Sequence, residues 1–595
     1  MKTIEERLAA VRALMREEGY QALVVPRADE YLGEYLPAHN ERLRWLSGFT
    51  GSAGFALLTA ERAAIFVDGR YTVQVRREVS GNLFDYCRLG EDSAAQWLAD
   101  ALQGQGQVAC DARLHSLRWY RDMARSLAGA GLELVACEAN LVDRCWLDRP
   151  AALVAPALLL PQQYTGESSL AKRRRIGAAL SAGGADAALV FAPDSVSWLL
   201  NIRGTDIPRL PVVQSLALLH ADGDLTLLVD PGRIPQGFAQ HVGEGVTVVP
   251  EAESAAALAA LRGCTVLADP DSANAWTQLT LEQSGAELLP GQDPVLLAKA
   301  AKNEVEIEGS RQAHLRDAVA EVRFLAWLDA EVAAHRLHDE AVLAERLRAL
   351  RAEGEHFVDL SFDTISAAGA NAAMCHYNHL NASRPAPLAM DSVYLVDSGG
   401  QYLDGTTDIT RTVAIGAPGD ELRRLFTLVL KGHIALDTAR FPEGTTGTQL
   451  DALARQFLWR HGYDYDHGTG HGVGVFLSVH EGPQRIAKQA NTTALEPGMI
   501  VSNEPGYYRD GAFGIRCENL LVVRRSRREG ERPMLEFEAL TLVPFDTRLL
   551  DMSLLGPAEV AWIDAYHQRV MARIGPLLHG DDYLWLERAT RPLTG

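Results

Sequence analysis

Two aspartates eleven positions apart, Asp397 and Asp408, stand in the segment VYLVDSGGQYLDGTTDITRTVAI. Val393 to Val396 read as a strand ending at Asp397, with Ser398-Gly399-Gly400 as its turn, and Thr406 to Ile415 alternate like a second strand. Strand side chains repeat every second residue, so Asp408, Thr410 and Thr412 share a face and the two aspartates can converge on one point. Downstream, DHGTGHGVG supplies His467 and His471 among alternating glycines, and His480 follows in SVHEGP. Such glycines let backbone pass close to a metal centre or a substrate. Glu504 ends the expected strand Met499 to Asn503, ahead of Pro505-Gly506. In FGIRCENLLVV, Arg516 and Glu518 are i and i+2 on an otherwise apolar strand, where charge is costly unless it is partnered. Each feature alone has a bland reading. Asp397 could be a turn former, a lone histidine a structural residue, and Arg516 with Glu518 a buried salt bridge.

Together the segments offer four carboxylates (Asp397, Asp408, Glu504, Glu518) and one imidazole (His471). Without cations such a cluster repels itself and raises its own pKa values. Two divalent ions balance its charge, and oxygen-rich ligation with one histidine suits Mn²⁺, or Co²⁺ or Zn²⁺, better than a thiolate-selected ion. A pair of ions ~3.5–4 Å apart generates a hydroxide nucleophile and clamps an oxyanion, which is hydrolase chemistry.

The elements that must position these groups follow from the rest of the chain. Its 595 residues exceed what one core usually organises. The N-terminal third runs helix, apolar strand, RWLSGFTGSAGFALLTAERAAIFVDGRY; after a Pro-containing stretch a weaker echo follows, with ADAALVF, VSWLLNIRG and LALLHADGDLTLLVDPGR. Both copies place Trp-Leu and a glycine before a hairpin that closes on Val-Asp-Gly-Arg or Val-Asp-Pro-Gly-Arg, which reads as an internally duplicated α/β domain. Neither copy carries a phosphate-binding glycine fingerprint. A long helical pattern opens near Lys302, and from about Asp359 short strands, glycines and histidines take over.

A formal charge of −20 disfavours phosphate-backbone binding. The two short basic runs, Lys172 to Arg175 and Arg524 to Arg528, read as solvated surface. Seven scattered cysteines, none spaced as CxxC, speak against a disulfide framework or a zinc–thiolate site. Cys375 and Cys517, beside the candidate site, read as small buried side chains. No apolar stretch is long enough to cross a bilayer, and the acidic amphipathic N-terminal helix is unlike a targeting signal, so a cytoplasmic protein is expected.

The ordered set carried by VDSGGQYLDGTTDITRT, GTGHGVG, NEPGYY and IRCENL closely resembles the pita-bread metallopeptidases. Within them the similarity is strongest to the three-domain Xaa-Pro aminopeptidase (aminopeptidase P) family, and it spans the chain: Leu46 to Gly54, DGRY at Asp68 to Tyr71, the second copy, and the C-terminal FEALTLVPFDTRLLD. The resemblance implies an α/β (α+β) protein with two creatinase/prolidase-like N-terminal α/β domains, 1–150 and 151–300, and a pita-bread catalytic domain with a C-terminal extension, 301–595. It implies Asp397 and Asp408 on one metal, and Asp408, His471, Glu504 and Glu518 around the other, with Asp408 and Glu518 bridging. Glu504 would shuttle a proton beside the bridging hydroxide that attacks the Xaa-Pro carbonyl. His376 would stand near the scissile bond, His467 and His480 would contact the substrate and its proline side, and Arg516 would lie close to the ligand shell. The implied enzyme is a manganese-dependent cytoplasmic homodimer that releases the N-terminal residue from peptides with proline second, without nucleic-acid or membrane partners.

Proline specificity has a physical logic, because the imide bond before proline has no N–H and proteases that grip that donor lose a contact. Two alternatives stand beside this reading. A prolidase needs a group to capture a dipeptide's free carboxylate, and none declares itself. A non-catalytic binding module on the same fold, or a metal-free creatinase-like amidinohydrolase, is disfavoured because all five ligands are retained. The Trp- and Leu-rich tail from Ala561 to Leu593 suits either a helical interface or core packing.

Overall fold

The computed structural model describes residues 2–382, 384–528 and 530–593. Two compact units emerge, Met1–Leu160 with Glu167–Leu296, and Pro161–Gly166 with Leu297–Gly595.

The first unit holds two six-stranded sheets. In one the order is Asp85–Arg88, Ala63–Val67, Phe55–Thr59, Ala22–Pro26, Gly106–Cys110, Leu132–Ala136; in the other it is Val246–Val249, Leu225–Val229, Ser215–His220, Ala187–Val190, Thr265–Ala268, Glu287–Pro290. Position by position the pairings have the same sense, antiparallel at the central hairpin and parallel at both flanks, as a duplicated unit would give. The reading of Lys172 to Arg175 as solvated surface is wrong for its first half. Lys172 is buried, donating to the Trp198 carbonyl and Asn201 Oδ1 with its ammonium over the Trp198 ring. Arg173 is buried too, donating to the carbonyls of Gly223, Val242 and Glu244. Abundant backbone acceptors made burial of these cations tolerable.

The second unit opens with α1 (Glu304–Ala333), started by an Asn303 capping box in which Glu306 reaches back to the cap nitrogen. Its inner face packs Val322, Phe324, Leu325 and Leu328 into a core shared with β1 (Ile365–Ala368), β2 (Ser392–Ser398) and β3 (Ile409–Ile415), a three-stranded antiparallel sheet ordered β1-β2-β3. The same core takes Leu425, Phe426 and Val429 from α2 (Asp420–Asp437). A six-stranded sheet runs Arg440–Pro442, Met534–Ala539, β7 (Asn519–Arg525), β5 (Ile500–Asn503), β4 (Gly470–Gly472), then Glu481–Ile486. Between β5 and β7 the chain makes the hairpin Gly506–Arg509 with β6 (Phe513–Arg516).

The tail folds as helices Pro557–Ile574 and Gly580–Ala589. Ile563, Tyr566, Val570, Ile574 and Leu586 join the core of the second unit, so much of this apolar pattern serves internal packing. Among the described residues no helix is long and apolar enough to cross a membrane.

Candidate metal centre

Asp397 lies inside β2 rather than at its end, opposite Thr410 of β3. Asp408 immediately precedes β3, and the expected shared face is present: Thr410 Oγ1 donates to Glu518 Oε2 at 2.7 Å and Thr412 Oγ1 to the Arg516 carbonyl at 2.9 Å. His471 is the middle residue of β4, and Glu504 follows β5. The single strand expected through Arg516 and Glu518 is in fact two. Cys517 and Glu518 fill the break between β6 and β7, where the Glu518 amide donates to the Thr410 carbonyl across the sheets. Across that break the two charged side chains still meet, through the Thr410 hydroxyl.

Donor atoms of Asp408, His471 and Glu518 lie within 4.8 Å of one another. His471 Nε2 stands 3.5 Å from Asp408 Oδ2 and 3.5 Å from Glu504 Oε1. Its Nδ1 is 2.9 Å from the Gly472 carbonyl, a bond that holds a proton on Nδ1 and turns Nε2 towards the acids. Asp397 joins through Arg516, whose Nη2 donates to Oδ2.

The electrostatics are those of a cluster short of positive charge. Burial, with repulsion from Asp408 and Glu504, outweighs Arg516 and pushes Asp397 up to about 7. Glu504 is raised by burial and by Asp408, and Glu518 is raised well above the carboxylate range by burial and by three neighbouring acids. Burial opposes a charge on His471, yet Asp408 and Glu504 lift it to about 9. Asp397 Oδ1 and Glu518 Oε1 are buried with no hydrogen-bond partner among the described residues. Orphaned anionic oxygens, an oriented imidazole and acids forced towards neutrality fit a site for divalent cations, which would reverse each shift.

Of the remaining expected residues, His480 sets its ring 4.3 Å from that of His471, at 75°. His467 hydrogen-bonds Tyr508 Oη through Nε2 at 2.8 Å, and Arg516 Nη1 donates to the same oxygen at 2.7 Å. His376 is half-buried in the loop after Gly369–Ala373. Tyr508 is the residue that sequence reasoning missed. Its signal was the hairpin register, which pairs it with Gly514 and puts it on the same face as Arg516. Cys517 is a buried small side chain, whereas Cys375 is only half-buried. Two of the alternating glycines, Gly470 and Gly472, make room for protein rather than for a ligand. A Cβ at Gly470 would lie 1.9 Å from the Ser502 carbonyl oxygen, and one at Gly472 would lie 2.4 Å from that of Glu481.

Residues 308–525 match metallopeptidase family M24, and residues 533–593 the C-terminal region of that peptidase family. Residues 7–145 and 148–306 each match the creatinase/prolidase N-terminal domain. A probable Xaa-Pro aminopeptidase P of Tuber melanosporum is 39% identical over 622 residues, covering 100% of both chains. Aminopeptidase P2 of Arabidopsis thaliana is 38% identical over 99% of this chain and 89% of its own. The crystal structure of X-prolyl aminopeptidase from Caenorhabditis elegans, described as a cytosolic enzyme with a di-nuclear active site, superposes over 100% of both chains with a TM-score of 0.95 at 34% identity.

Proposed function

From the membership of this chain in metallopeptidase family M24, we propose that it is an Xaa-Pro aminopeptidase, releasing the N-terminal residue from peptides whose second residue is proline. The observation that carries the reading is likeness over the full length, N-terminal domains included, to enzymes named for that activity. The same likeness supports three domains (1–150, 151–300, 301–595) and a cytoplasmic setting, and the assembly proposed is a homodimer.

Asp397, Asp408, His471, Glu504 and Glu518 are the residues that would hold two divalent ions, with Mn²⁺ favoured by the oxygen-rich donor set. Bound there, such ions supply a water-derived nucleophile and polarise the scissile carbonyl. The protein's own groups do the rest. Glu504, within 3.5 Å of His471 Nε2, takes a proton from the attacking water and returns it to the departing proline nitrogen, which has no N–H of its own. Arg516 and Thr410 fix Asp397 and Glu518 by hydrogen bonds. His376, His467 and His480 contact the substrate around the scissile bond and the proline ring.

Purified protein would be assayed on Xaa-Pro-Yaa, Xaa-Pro and Xaa-Ala-Yaa peptides, with and without a chelator, then reloaded with Mn²⁺, Co²⁺ or Zn²⁺ separately. Chelator-sensitive release from Xaa-Pro-Yaa is expected. Cleavage of dipeptides alone would instead indicate a prolidase, and chelator-insensitive turnover would remove the metal mechanism.

A further inference from the structure

We propose that the buried ion triad Lys299–Glu481–Lys302 positions His480 against His471, so that a charge cluster out of reach of the substrate sets how well the substrate is gripped. The inference rests on the reading of His480 as a substrate contact.

Glu481 follows His480 directly and opens the strand Glu481–Ile486. Its side chain is 0% exposed and the two lysines are 1% exposed. Lys299 Nζ donates to Oε2 at 3.0 Å, and Lys302 Nζ donates to Oε1. Lys302 is held at its backbone as well, its amide donating to the Gly498 carbonyl at 3.1 Å. A Cβ at Gly498, whose φ is +91°, would stand 2.5 Å from the Lys302 carbonyl oxygen, so this approach needs glycine.

Burying three charges is expensive, and apolar replacements of similar volume often leave a fold as stable or more so. Stability is therefore a poor reason for this triad, and its position suggests a better one. Glu481 touches both histidine-bearing segments. Its carbonyl and carboxylate press on Gly472 and Gly474, where a Cβ would lie 2.4 Å from the carbonyl oxygen and 3.1 Å from Oε2. Gly472 is the neighbour of His471, and the His480 carbonyl accepts from Ser478 Oγ at 2.7 Å. Gripped at both carboxylate oxygens from two directions, Glu481 fixes the backbone from which His480 projects and its spacing from His471.

The test uses full-length, Mn²⁺-loaded protein carrying Lys299→Met, Lys302→Met and Glu481→Leu together, with and without His480→Ala. We expect the triple variant to fold and to keep its metal content, while kcat/KM on an Xaa-Pro-Yaa peptide falls at least about tenfold. In the His480→Ala background the same three changes should cost less than about twofold, because their effect passes through that ring. Unchanged kcat/KM in the folded triple variant overturns the proposal, as does a loss that multiplies with that of His480→Ala. If the triple variant does not fold, Lys299→Met alone, which keeps a one-to-one buried pair, is held to the same two criteria with a smaller loss. Wild-type kcat/KM in His480→Ala alone overturns the assignment of His480 as a substrate contact, and is recognisable as that separate failure.

Discussion

Arg516 Nη2 donates to Asp397 Oδ2 at 2.5 Å, with both side chains buried, and leaves Oδ1 of the same carboxylate without a partner among the described residues. Nε of this guanidinium donates to Thr410 Oγ1, which donates in turn to Glu518, so one planar fork orients two acids at once.

That relationship makes Arg516→Lys a sharp probe. Lysine keeps the charge that Asp397 needs but cannot serve three acceptors in one plane. We expect Mn²⁺ affinity and kcat/KM each to fall by about 10–100-fold, with the thermal midpoint changed little. Metal titration of apo-protein measures the first, and unaltered affinity would show that Arg516 does not orient the ligands.

Tyr508 accepts from Arg516, so its single proton goes to His467 Nε2, and His467 must carry its own proton on Nδ1, 2.7 Å from the Gly468 carbonyl. Tyr508→Phe breaks this chain while preserving the ring. A stability loss of about 1 kcal/mol is expected, together with a several-fold rise in KM for Xaa-Pro-Yaa as His467 loses its anchor. KM unchanged, with kcat alone reduced, would place the phenol in the chemical step instead.

Glu504→Gln preserves size and one ligating oxygen but cannot move a proton. We expect kcat to drop by about 10²–10⁴-fold, with circular dichroism unchanged. Metal content measured on the same sample separates loss of the proton shuttle from loss of an ion; turnover near wild type would refute the role.

The candidate ligand residues were legible because carboxylates and a glycine-flanked histidine in or beside short strands are chemically conspicuous, and because Thr410 and Thr412 announce the face of β3 by alternation. What local pattern could not give was geometry made by distant segments. Glu481 meets Lys299 and Lys302 across about 180 positions of chain, and nothing in AKAAKN or SVHEGP declares the pairing. Tyr508 differs from Tyr507 only through hairpin register. Two glycines of GTGHGVG, Gly470 and Gly472, answer to neighbouring backbone rather than to a ligand, a packing demand that sequence alone does not distinguish.

Within the first unit, Asp29 offers a test of burial itself. The residue is 0% exposed; its Oδ1 accepts from the amides of Tyr31 and Gly33, and its Oδ2 from Gln214 Nε2 at 3.3 Å. Burial outweighs these bonds and the nearby Arg42, and pushes the carboxyl up to about 6. An unfolded aspartate titrates near about 3.9, so the folded chain holds this proton more tightly. The carboxyl therefore costs stability that grows as pH rises from about 4 to about 6 and levels off above. Asp29→Asn removes that cost: its Oδ1 keeps both amide bonds, and its Nδ2 can donate to Gln214 once that amide turns over. The variant should be the more stable at pH 7.5, and its advantage at pH 5 should be smaller by about 1 kcal/mol. Thermal midpoints of both proteins at the two pH values measure this. An advantage that does not change with pH would mean that Asp29 titrates as an ordinary exposed carboxylate, and that its amide bonds balance its burial.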